Sequence, residues 1–415
     1  MSRGRRALFA TVAVLLSLAF LEGFARVAIW AVPAAGALSK RSFDYKLPDE
    51  ELGMRGNPHF VDHDEAGWRN AERPERVAVV AVGDSQTYGS EVSRYDAWPQ
   101  IASRESGVAI YNMAIGGYGP YQYSLLIDDA LVLSPELVIV AFYDGNDYYD
   151  AWGKVYRQGR DPDLLSPDTD LRERLLEMEE RAPLKADWEA TRTARKGAGR
   201  AGFIDVVAWF DRNLAVFGLV RGVVVVLSGP GDPPESKVRR KFPKYLEVTE
   251  GAEPGLLVPF EDGDLSTVFT PRGRLATLDP EDPRVRESER LVFAYIDRIR
   301  AAVAGRARLA FVLIPTKELV YSERVSERVR EKGAALHDSY AALVAAETTM
   351  RQRLMRRLDT LGVPWADSLP ELRSSLAAGR APYEMNWNGH PNPEGDAAIA
   401  RAVVSSPYFR DLIRD

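Results

Sequence analysis

Four short polar stretches of this sequence contain residue types that suit acyl chemistry. They are "GDSQTYG" with Ser85, "NMAIGGYG" with Gly117, "YDGND" with Asn146 and "NGHPN" with His390. A serine hydroxyl attacks an acyl carbon when a neighbouring histidine takes its proton. Backbone N–H groups and an asparagine amide can donate hydrogen bonds to the oxyanion that results. The four stretches therefore predict a nucleophile, a base and oxyanion donors, provided that the fold brings them together.

Each stretch also has a purely structural interpretation when it is taken alone. Glycine, aspartate, serine and asparagine are common turn formers, and a lone histidine before a helix is usually a surface residue. The position of Ser85 in the chain favours a catalytic interpretation over a structural one. Ser85 directly follows an apolar run and precedes a predicted helix. Its hydroxyl and its backbone N–H are therefore expected to face the same space.

Short apolar runs must position these residues. They are Val77–Val82, Val108–Asn112, Leu137–Phe142, Leu309–Ile314 and Val363–Ala366, and helical patterns lie between most of them. Continuous apolar strands that alternate with helices are typical of a parallel sheet covered on both faces. Ligands bind such sheets at the carboxyl ends of the strands. Because every run ends in polar residues, the sequence predicts an α/β fold with its site at one edge of the sheet.

In this order and context the four stretches resemble those of the SGNH (GDSL-type) hydrolases. The resemblance implies a flavodoxin-like three-layer α/β/α fold with a parallel sheet. It also implies that Ser85 is the nucleophile and His390 the general base. The oxyanion hole would consist of the backbone N–H groups of Ser85 and Gly117 and the side-chain amide of Asn146, with Asp84 in a supporting position.

The sequence departs from the family pattern next to the base. The family usually has an aspartate two or three residues before the histidine, where this sequence has Asn388 and Trp387. Three interpretations stay open. Asn388 accepts a hydrogen bond from the imidazole in a Ser–His dyad, without the charge that stabilises imidazolium. Alternatively, Glu384 or Asp367 supplies the acid, or the site is degraded and only binds ligand.

A further stretch, "AFVLIPTKELVY" at Ala310–Tyr321, follows the fourth apolar run. It resembles a segment of membrane-associated SGNH proteins related to polysaccharide O-acetyltransferases of the alginate type. Lys317 lies where that run ends, so it is a second supporting residue. It either contacts the ligand or is a solvated lysine at the end of a strand.

Composition excludes several other classes of site. The 415 residues include no cysteine and four histidines, so disulfides, thiolate metal sites and a cysteine nucleophile are excluded. Acidic and basic residues are mixed, with a net charge of -6, which argues against a nucleic-acid surface. The segment "HFVDHD" at His59–Asp64 has metal-like spacing, but it is interpreted as a solvated loop because no further histidine or cysteine is near it. We expect neither a metal nor an organic cofactor.

The N-terminus predicts a membrane helix. Arginines in "MSRGRR" precede the apolar run Ala7–Leu21, which continues as "EGFARVAIWAV". Glu22 and Arg26 lie four residues apart, acid first, the favourable order for a helical ion pair. An uncleaved anchor is favoured over a cleaved signal peptide. The arginines would then stay in the cytoplasm and the rest of the chain would lie outside, in the periplasm or beyond the cell.

These observations divide the chain into four parts. Residues 1–37 are the membrane anchor, and residues 38–76 are an extended lead-in. Residues 77–150 and 291–415 form the hydrolase domain, and residues 151–290 are a largely helical insertion. Within it, Phe203–Leu227 is apolar but carries charges, so a buried or interface-lying helix is favoured over a second span.

The predicted function is that of an extracytoplasmic, membrane-anchored serine esterase. It would cleave O-acyl esters, above all O-acetyl esters, of a carbohydrate or a lipid-linked glycan through an acyl-Ser85 intermediate. An O-acyltransferase for an envelope polysaccharide would need the same nucleophile and oxyanion hole. A non-catalytic glycan-binding protein that assembles with envelope partners is the alternative from a different class.

Overall fold

All the predicted apolar strands are present, within two residues at each end, in a computed structural model of the chain. The structure describes residues 3–40, 42, 44–186, 214–228, 256–262, 265–329, 334–384 and 388–414. The strands are β1 (Lys46–Asp49), β2 (Gly53–Gly56), β3 (Val79–Gly83), β4 (Ile110–Ala114), β5 (Leu137–Tyr143), β6 (Val258–Asp262), β7 (Leu265–Phe269), β8 (Arg308–Ile314) and β9 (Trp365–Asp367).

The helices are α1 (Arg3–Ala31), α2 (Pro33–Lys40), α3 (Ser85–Tyr88), α4 (Trp98–Ser106), α5 (Pro120–Val132), α6 (Asp147–Trp152), α7 (Thr169–Arg181), α8 (Ala215–Ser228), α9 (Pro271–Leu278), α10 (Pro283–Val303), α11 (Lys317–Val329), α12 (Ala334–Leu361), α13 (Leu369–Ala377), α14 (Pro393–Ser405) and α15 (Pro407–Arg414). The chain divides into two compact units. One comprises Met1–Glu72 and Ala198–Gly231, and the other comprises Arg73–Gly197 and Asp232–Asp415.

The second unit is built on a parallel sheet with the strand order β4-β3-β5-β8-β9. Counted within the sheet, this is the 2-1-3-4-5 order of flavodoxin-like folds. Every residue of β3, β4 and β5 is buried, as expected for strands covered on both faces. The carboxyl ends of β3 and β4 lie side by side, because Gly83 pairs with Ala114. The flavodoxin-like fold is therefore confirmed.

Helices cover both faces of this sheet. On one face, α4, α14 and α15 pack against alternate strand residues, with Trp98, Ile399 and Phe409 in the shared core. On the other face, α5 and α10 pack against each other; α5 also contacts β3, and α10 contacts β8. The strand residues that face this second side, such as Val80 and Val138, are also fully buried. The result is the predicted three-layer α/β/α arrangement.

Part of the predicted insertion packs into the core of this unit. Strands β6 and β7 pair as an antiparallel hairpin, which the expectation of a largely helical insertion did not include. Phe269 of the hairpin packs in one apolar cluster with Tyr321, Tyr340 and Tyr383. Helix α9 then follows directly from β7. This placement brings side chains of the insertion to the carboxyl edge of the sheet.

The first unit contains α1, α2, α8 and the β1–β2 hairpin. Among the described residues, one helical segment, Thr11–Ala31, is long and apolar enough to cross a membrane. A signal sequence near the N-terminus can meet the same criteria of length and composition. In the lead-in, the segment His59–Asp64 is not the solvated loop that was expected, because Asp62 and His63 are buried. Asp62 pairs with Arg69 at 2.7 Å, and His63 Nδ1 lies 3.0 Å from the carbonyl oxygen of Asn57.

Candidate active site

Ser85 lies at a sharp strand-to-helix turn, at the carboxyl end of β3 and the start of α3. Gly83, two residues before Ser85, has no room for a side chain, because a Cβ there would lie 2.3 Å from Oγ1 of Thr87. Asp84 caps the helix, its Oδ1 accepting the backbone N–H of Gln86 at 2.8 Å. Gly89, with φ at 75°, ends the helix after one turn. The "GDSQTYG" stretch therefore places the serine hydroxyl at the edge where the sequence predicted it.

Asp84 is fully buried beside this hydroxyl. Ser85 Oγ donates to Oδ2 of Asp84 at 3.3 Å. Burial, with a smaller contribution from the nearby carboxylate of Asp150, raises the pKa of Asp84 to about 7, although the hydrogen bonds that Asp84 accepts oppose this shift. The charge on Asp84 therefore changes near neutral pH. Above that pH, the serine hydroxyl lies beside a carboxylate that accepts its hydrogen bond. Below that pH, it lies beside a neutral carboxylic acid.

Gly117 lies in the loop after β4, the strand that neighbours β3. Its φ of 88° is in the left-handed region that favours glycine. Asn112 ties this loop to the serine turn, because its side chain donates to the carbonyl oxygen of Thr87 at 2.7 Å and accepts the N–H of Ala114 at 3.1 Å. Within the described part of the chain, the N–H groups of Ser85 and Gly117 make no hydrogen bond to a protein acceptor. Both donors are available to a ligand.

Asn146 follows β5 and precedes α6, at the same edge of the sheet. Its Nδ2 donates to Oδ2 of Asp150 at 2.5 Å, and its amide also hydrogen-bonds to Asp84. Asp150 is paired in turn with Lys185, whose Nζ lies 3.2 Å from Oδ1. A Cβ on Gly119 would lie 2.8 Å from Cβ of Asp150, so the "GGYG" loop packs against this group. Asn146 thus lies at the predicted edge, but its amide is already hydrogen-bonded to two acids.

The loop that carries His390 is held against the serine turn. Gln86, the residue after the serine, donates from Nε2 to the carbonyl oxygen of Gly389 at 3.2 Å. Gly389 also packs tightly, since a Cβ there would lie 2.6 Å from the hydroxyl of Tyr143. The structure therefore brings the four predicted stretches to one edge, but among the described residues no hydrogen bond joins the predicted base, His390, to the predicted nucleophile, Ser85.

His390 has an unusual electrostatic environment. Burial, together with the nearby basic side chains of Arg274 and Lys317, lowers its pKa to about 4. Its Nδ1 is buried and has no hydrogen-bond partner among the described residues. The ring is therefore neutral at neutral pH, the form that accepts a proton. An imidazolium at this position would have no hydrogen-bonded acid among the described residues, unlike the histidine of a serine triad.

None of the oxygens proposed to orient His390 reaches it. The side chain of Asn388 donates instead to Oε1 of Glu91 at 2.5 Å, while its backbone carbonyl accepts from Lys317. Asp367 accepts from Arg351 and from the N–H of Leu369. Glu384 is not a hydrogen-bond partner of Nδ1 either. The orienting roles of Asn388, Glu384 and Asp367 are therefore corrected, whereas Trp387 lies outside the described residues.

Lys317 is a buried residue rather than a solvated one. Its side chain is 1% exposed, and Nζ donates to Oγ1 of Thr267 at 3.2 Å and to the carbonyl oxygen of Asn388 at 3.0 Å. Burial lowers the pKa of Lys317 to about 7; Glu318 opposes this shift, and Arg274 adds to it. The lysine thus fixes the backbone two residues before His390.

Arg274 is a site residue that the sequence analysis missed. Its Nη1 donates to the carbonyl oxygen of Gly145 at 2.6 Å, one residue before Asn146, and the guanidinium stacks over the ring of Tyr143. Nη2 would lie 2.7 Å from a Cβ on Gly389. The arginine therefore packs between the Asn146 and His390 loops. It belongs to the insertion, and nothing in its local sequence signals this position.

A buried ionic cluster lies behind these loops. Arg351 of α12 pairs with Asp144 and with Oδ1 of Asp367, the latter at 2.5 Å. One turn earlier, Glu347 accepts the N–H of Thr316 at 2.8 Å and hydrogen-bonds to its hydroxyl. Burial raises the pKa of Glu347 to about 8 and that of Asp144 to about 6. Helix α12 therefore supports both the "YDGND" loop and the start of α11.

No group of three or more potential metal ligands occurs among the residues that the structure describes. No family model matches the sequence, and no curated protein is similar enough to count as a relative. Two solved structures are similar at 12% identity. Phospholipase A1 from Streptomyces albidoflavus NA297 aligns over 81% of this chain and 98% of its own, with a TM-score of 0.34. An extracellular lipase from Streptomyces rimosus aligns over 80% and 97%, with a TM-score of 0.32. Likeness at this level carries no argument about function.

Proposed function

We propose that this protein is a serine esterase of the SGNH type that acts through an acyl-Ser85 intermediate. One observation carries the proposal. Gln86 ties the loop of His390 to the turn that presents Ser85, so a hydroxyl and a neutral imidazole share the carboxyl edge of the sheet. The unbonded N–H groups of Ser85 and Gly117 support it, because an ester carbonyl develops negative charge that such donors stabilise.

The mechanism needs a short sequence of proton transfers. Ser85 Oγ leaves its hydrogen bond with Asp84 and attacks the acyl carbon, while its proton passes to His390. The oxyanion accepts hydrogen bonds from Ser85 and Gly117, and from Asn146 once its amide turns from Asp150. His390 returns the proton to the departing alcohol oxygen. A water molecule then attacks the acyl-enzyme and releases the acid and the free serine.

Arg274, and Lys317 in its protonated form, have opposite effects on the two charges that form. Arg274 and Lys317 disfavour the imidazolium of His390. A positive field of this kind favours the oxyanion at the same edge of the sheet. In a serine protease, losing the acid behind the histidine costs about 10⁴ in rate. We therefore expect a slow esterase whose catalysis depends more on the oxyanion donors than on a strong base.

The substrate class that we propose is an O-acylated glycan, carried on a polysaccharide or on a lipid. Helix α1 would anchor the chain in the cell membrane, with the parallel-sheet unit outside the cytoplasm. An envelope assembly that presents the glycan is the expected partner. The proposal assigns no metal or organic cofactor to the reaction, because every step uses a group of the chain or water.

A fluorophosphonate probe tests the proposed nucleophile. The full chain in detergent micelles is treated with the probe, which phosphonylates an activated serine hydroxyl with loss of fluoride. We expect one adduct, on the peptide that contains Ser85, and none in Ser85→Ala. Ser124→Ala is the matched control, since this helical serine only donates to a backbone carbonyl. Full labelling of Ser85→Ala would contradict the proposal.

The unpartnered Nδ1 of His390 favours one alternative, a non-catalytic glycan-binding protein. The labelling experiment separates it from an enzyme, because a serine without a functional base does not react. An O-acyltransferase shares the acyl-Ser85 intermediate and labels in the same way. Supplying an acyl donor with glycan acceptors distinguishes the two enzymes, since a transferase moves the acyl group to a sugar hydroxyl rather than to water.

The pKa of His390 predicts the pH below which esterase activity is lost. The pH profile of kcat/KM reports the pKa of the essential base in the free enzyme. Because the pKa of His390 is lowered to about 4, we expect the acid limb near pH 4 rather than near 6.5. Turnover of p-nitrophenyl acetate measures it. A limb near pH 7 that vanishes in Asp84→Asn would assign the titration to Asp84 instead.

A further inference from the structure

Helix α8 has an apolar surface that its own unit does not cover. Its sequence, "AVFGLVRGVVVVLS", contains one charged residue, Arg221. Six of its large apolar residues are exposed, with exposed fractions from 39% to 80%: Phe217, Val220, Val223, Val224, Val226 and Leu227. Water-exposed surfaces of soluble proteins seldom carry such a continuous apolar patch. The surface therefore needs an apolar partner.

The start of α8 is bonded to a carboxylate of α1. Oε1 of Glu22 accepts the N–H of Ala215 at 2.9 Å, and Oε2 accepts the N–H of Val216 at 3.1 Å. Glu22 lies in the middle of the candidate span Thr11–Ala31. A free helix start and a free carboxylate are both costly in hydrocarbon. Each satisfies the other here, and Arg26 pairs with Glu22 at 2.8 Å.

Helix α8 packs on α2 as helices do in membranes. Gly218 and Gly222 are four residues apart, and a Cβ on Gly222 would lie 2.0 Å from the carbonyl oxygen of Leu38. Glycines at this spacing let two helix backbones approach closely in lipid, where apolar side chains give no hydrophobic gain. Arg221 is also satisfied, because Nη2 donates to the carbonyl oxygen of Ser39 at 2.8 Å. The charges on this surface thus have protein partners.

We propose that α8 is a second membrane element, inserted beside α1 with its apolar face in the acyl chains of the bilayer. Its 14 residues are about 21 Å long, too short to cross a core of about 30 Å. It therefore enters the bilayer without spanning it. Because Glu22 caps α8, α1 must remain on the mature chain, which makes the N-terminal helix an uncleaved anchor. The proposal does not depend on the esterase activity.

Single cysteines test the environment of α8, since the natural sequence has none to remove. The full chain, reconstituted in phosphatidylcholine and phosphatidylglycerol vesicles, carries a nitroxide at Val223→Cys, Val224→Cys or Leu227→Cys. Collision with oxygen reports lipid, and collision with a soluble nickel chelate reports water. Phe20→Cys in α1 is the lipid control, and Val132→Cys, exposed on α5, is the water control.

We expect the α8 positions to match Phe20→Cys, with oxygen collisions dominant. Values that match Val132→Cys would overturn the proposal, and so would protection from both reagents, because a second copy or another protein would then cover the surface. Glu22→Ala should increase nickel access at Val224→Cys by about tenfold, whereas Glu22→Gln keeps an acceptor oxygen and should change it little. An intact mass lacking residues 1–37 would overturn the uncleaved anchor.

Discussion

His390→Ala is expected to lose nearly as much activity as Ser85→Ala, and the double variant is expected to lose no more. A nucleophile and its base act as a unit, so removing either one disables both and their effects do not add. Such a unit is worth about 10⁶ in kcat when an acid supports the histidine, and about 10⁴ of that depends on the acid. His390 has no acid partner among the described residues, so we expect each variant to lose activity by about 10²-fold.

Turnover of p-nitrophenyl acetate by the full chain in micelles measures this prediction. His59→Ala is the matched control, because this exposed histidine lies in the lead-in, and its kcat/KM should stay within about twofold of wild type. If the losses of the two single variants multiplied in the double variant, Ser85 and His390 would act independently. The proton acceptor would then be another group, and Asp84, at 3.3 Å from Ser85 Oγ, would be the first to test.

Arg351→Met is expected to destabilise the protein by about 3–5 kcal/mol, the cost of leaving a buried charge without its partner. Arg351 is the cation between Asp144 and Asp367, and the side chains of Arg351 and Asp144 are 4% and 0% exposed. Methionine fills a similar volume without charge. Urea unfolding of the full chain in micelles, followed by tryptophan fluorescence, measures the change in free energy.

The pH dependence of this loss has a definite sign. The pKa of Asp144 is raised to about 6 even beside the arginine, because burial outweighs the pairing. Without Arg351 that pKa rises further above its unfolded value of about 3.9. The unfolded chain then releases the proton more readily, so stability falls as pH rises through this range. The loss should therefore be larger at pH 8 than at pH 5.

The control for Arg351→Met is a variant in which the two acids paired with Arg351 are replaced as well. The variant that combines Arg351→Met with Asp144→Asn and Asp367→Asn removes all three charges of the cluster. It should recover part of the lost stability, because the cost comes from unpaired carboxylates rather than from the missing side chain. A loss of equal size at pH 5 and pH 8, with no recovery, would indicate a packing defect instead.

The sheet, and the edge that carries the candidate site, were predictable from local patterns. A strand that is buried on both faces of a sheet has a continuous apolar sequence, because its side chains are apolar on either face. Parallel strands end at a common edge, so the residues that follow them are brought together without any knowledge of the intervening loops. For this reason Ser85, Gly117 and Asn146 were placed at neighbouring strand ends, and the glycine and aspartate before the serine indicated its tight turn.

The partners of the site residues were not predictable in this way. Arg274 reaches Gly145 across 129 residues, Lys317 reaches Asn388 across 71, and Glu22 caps a helix 193 residues later. Such bonds depend on how folded elements pack, and no sequence periodicity encodes them. The partner expected for His390 is the clearest case. Asn388 is two residues from His390 in the chain, but its side chain donates to Glu91 and its carbonyl accepts from Lys317, so proximity in sequence did not become contact in space.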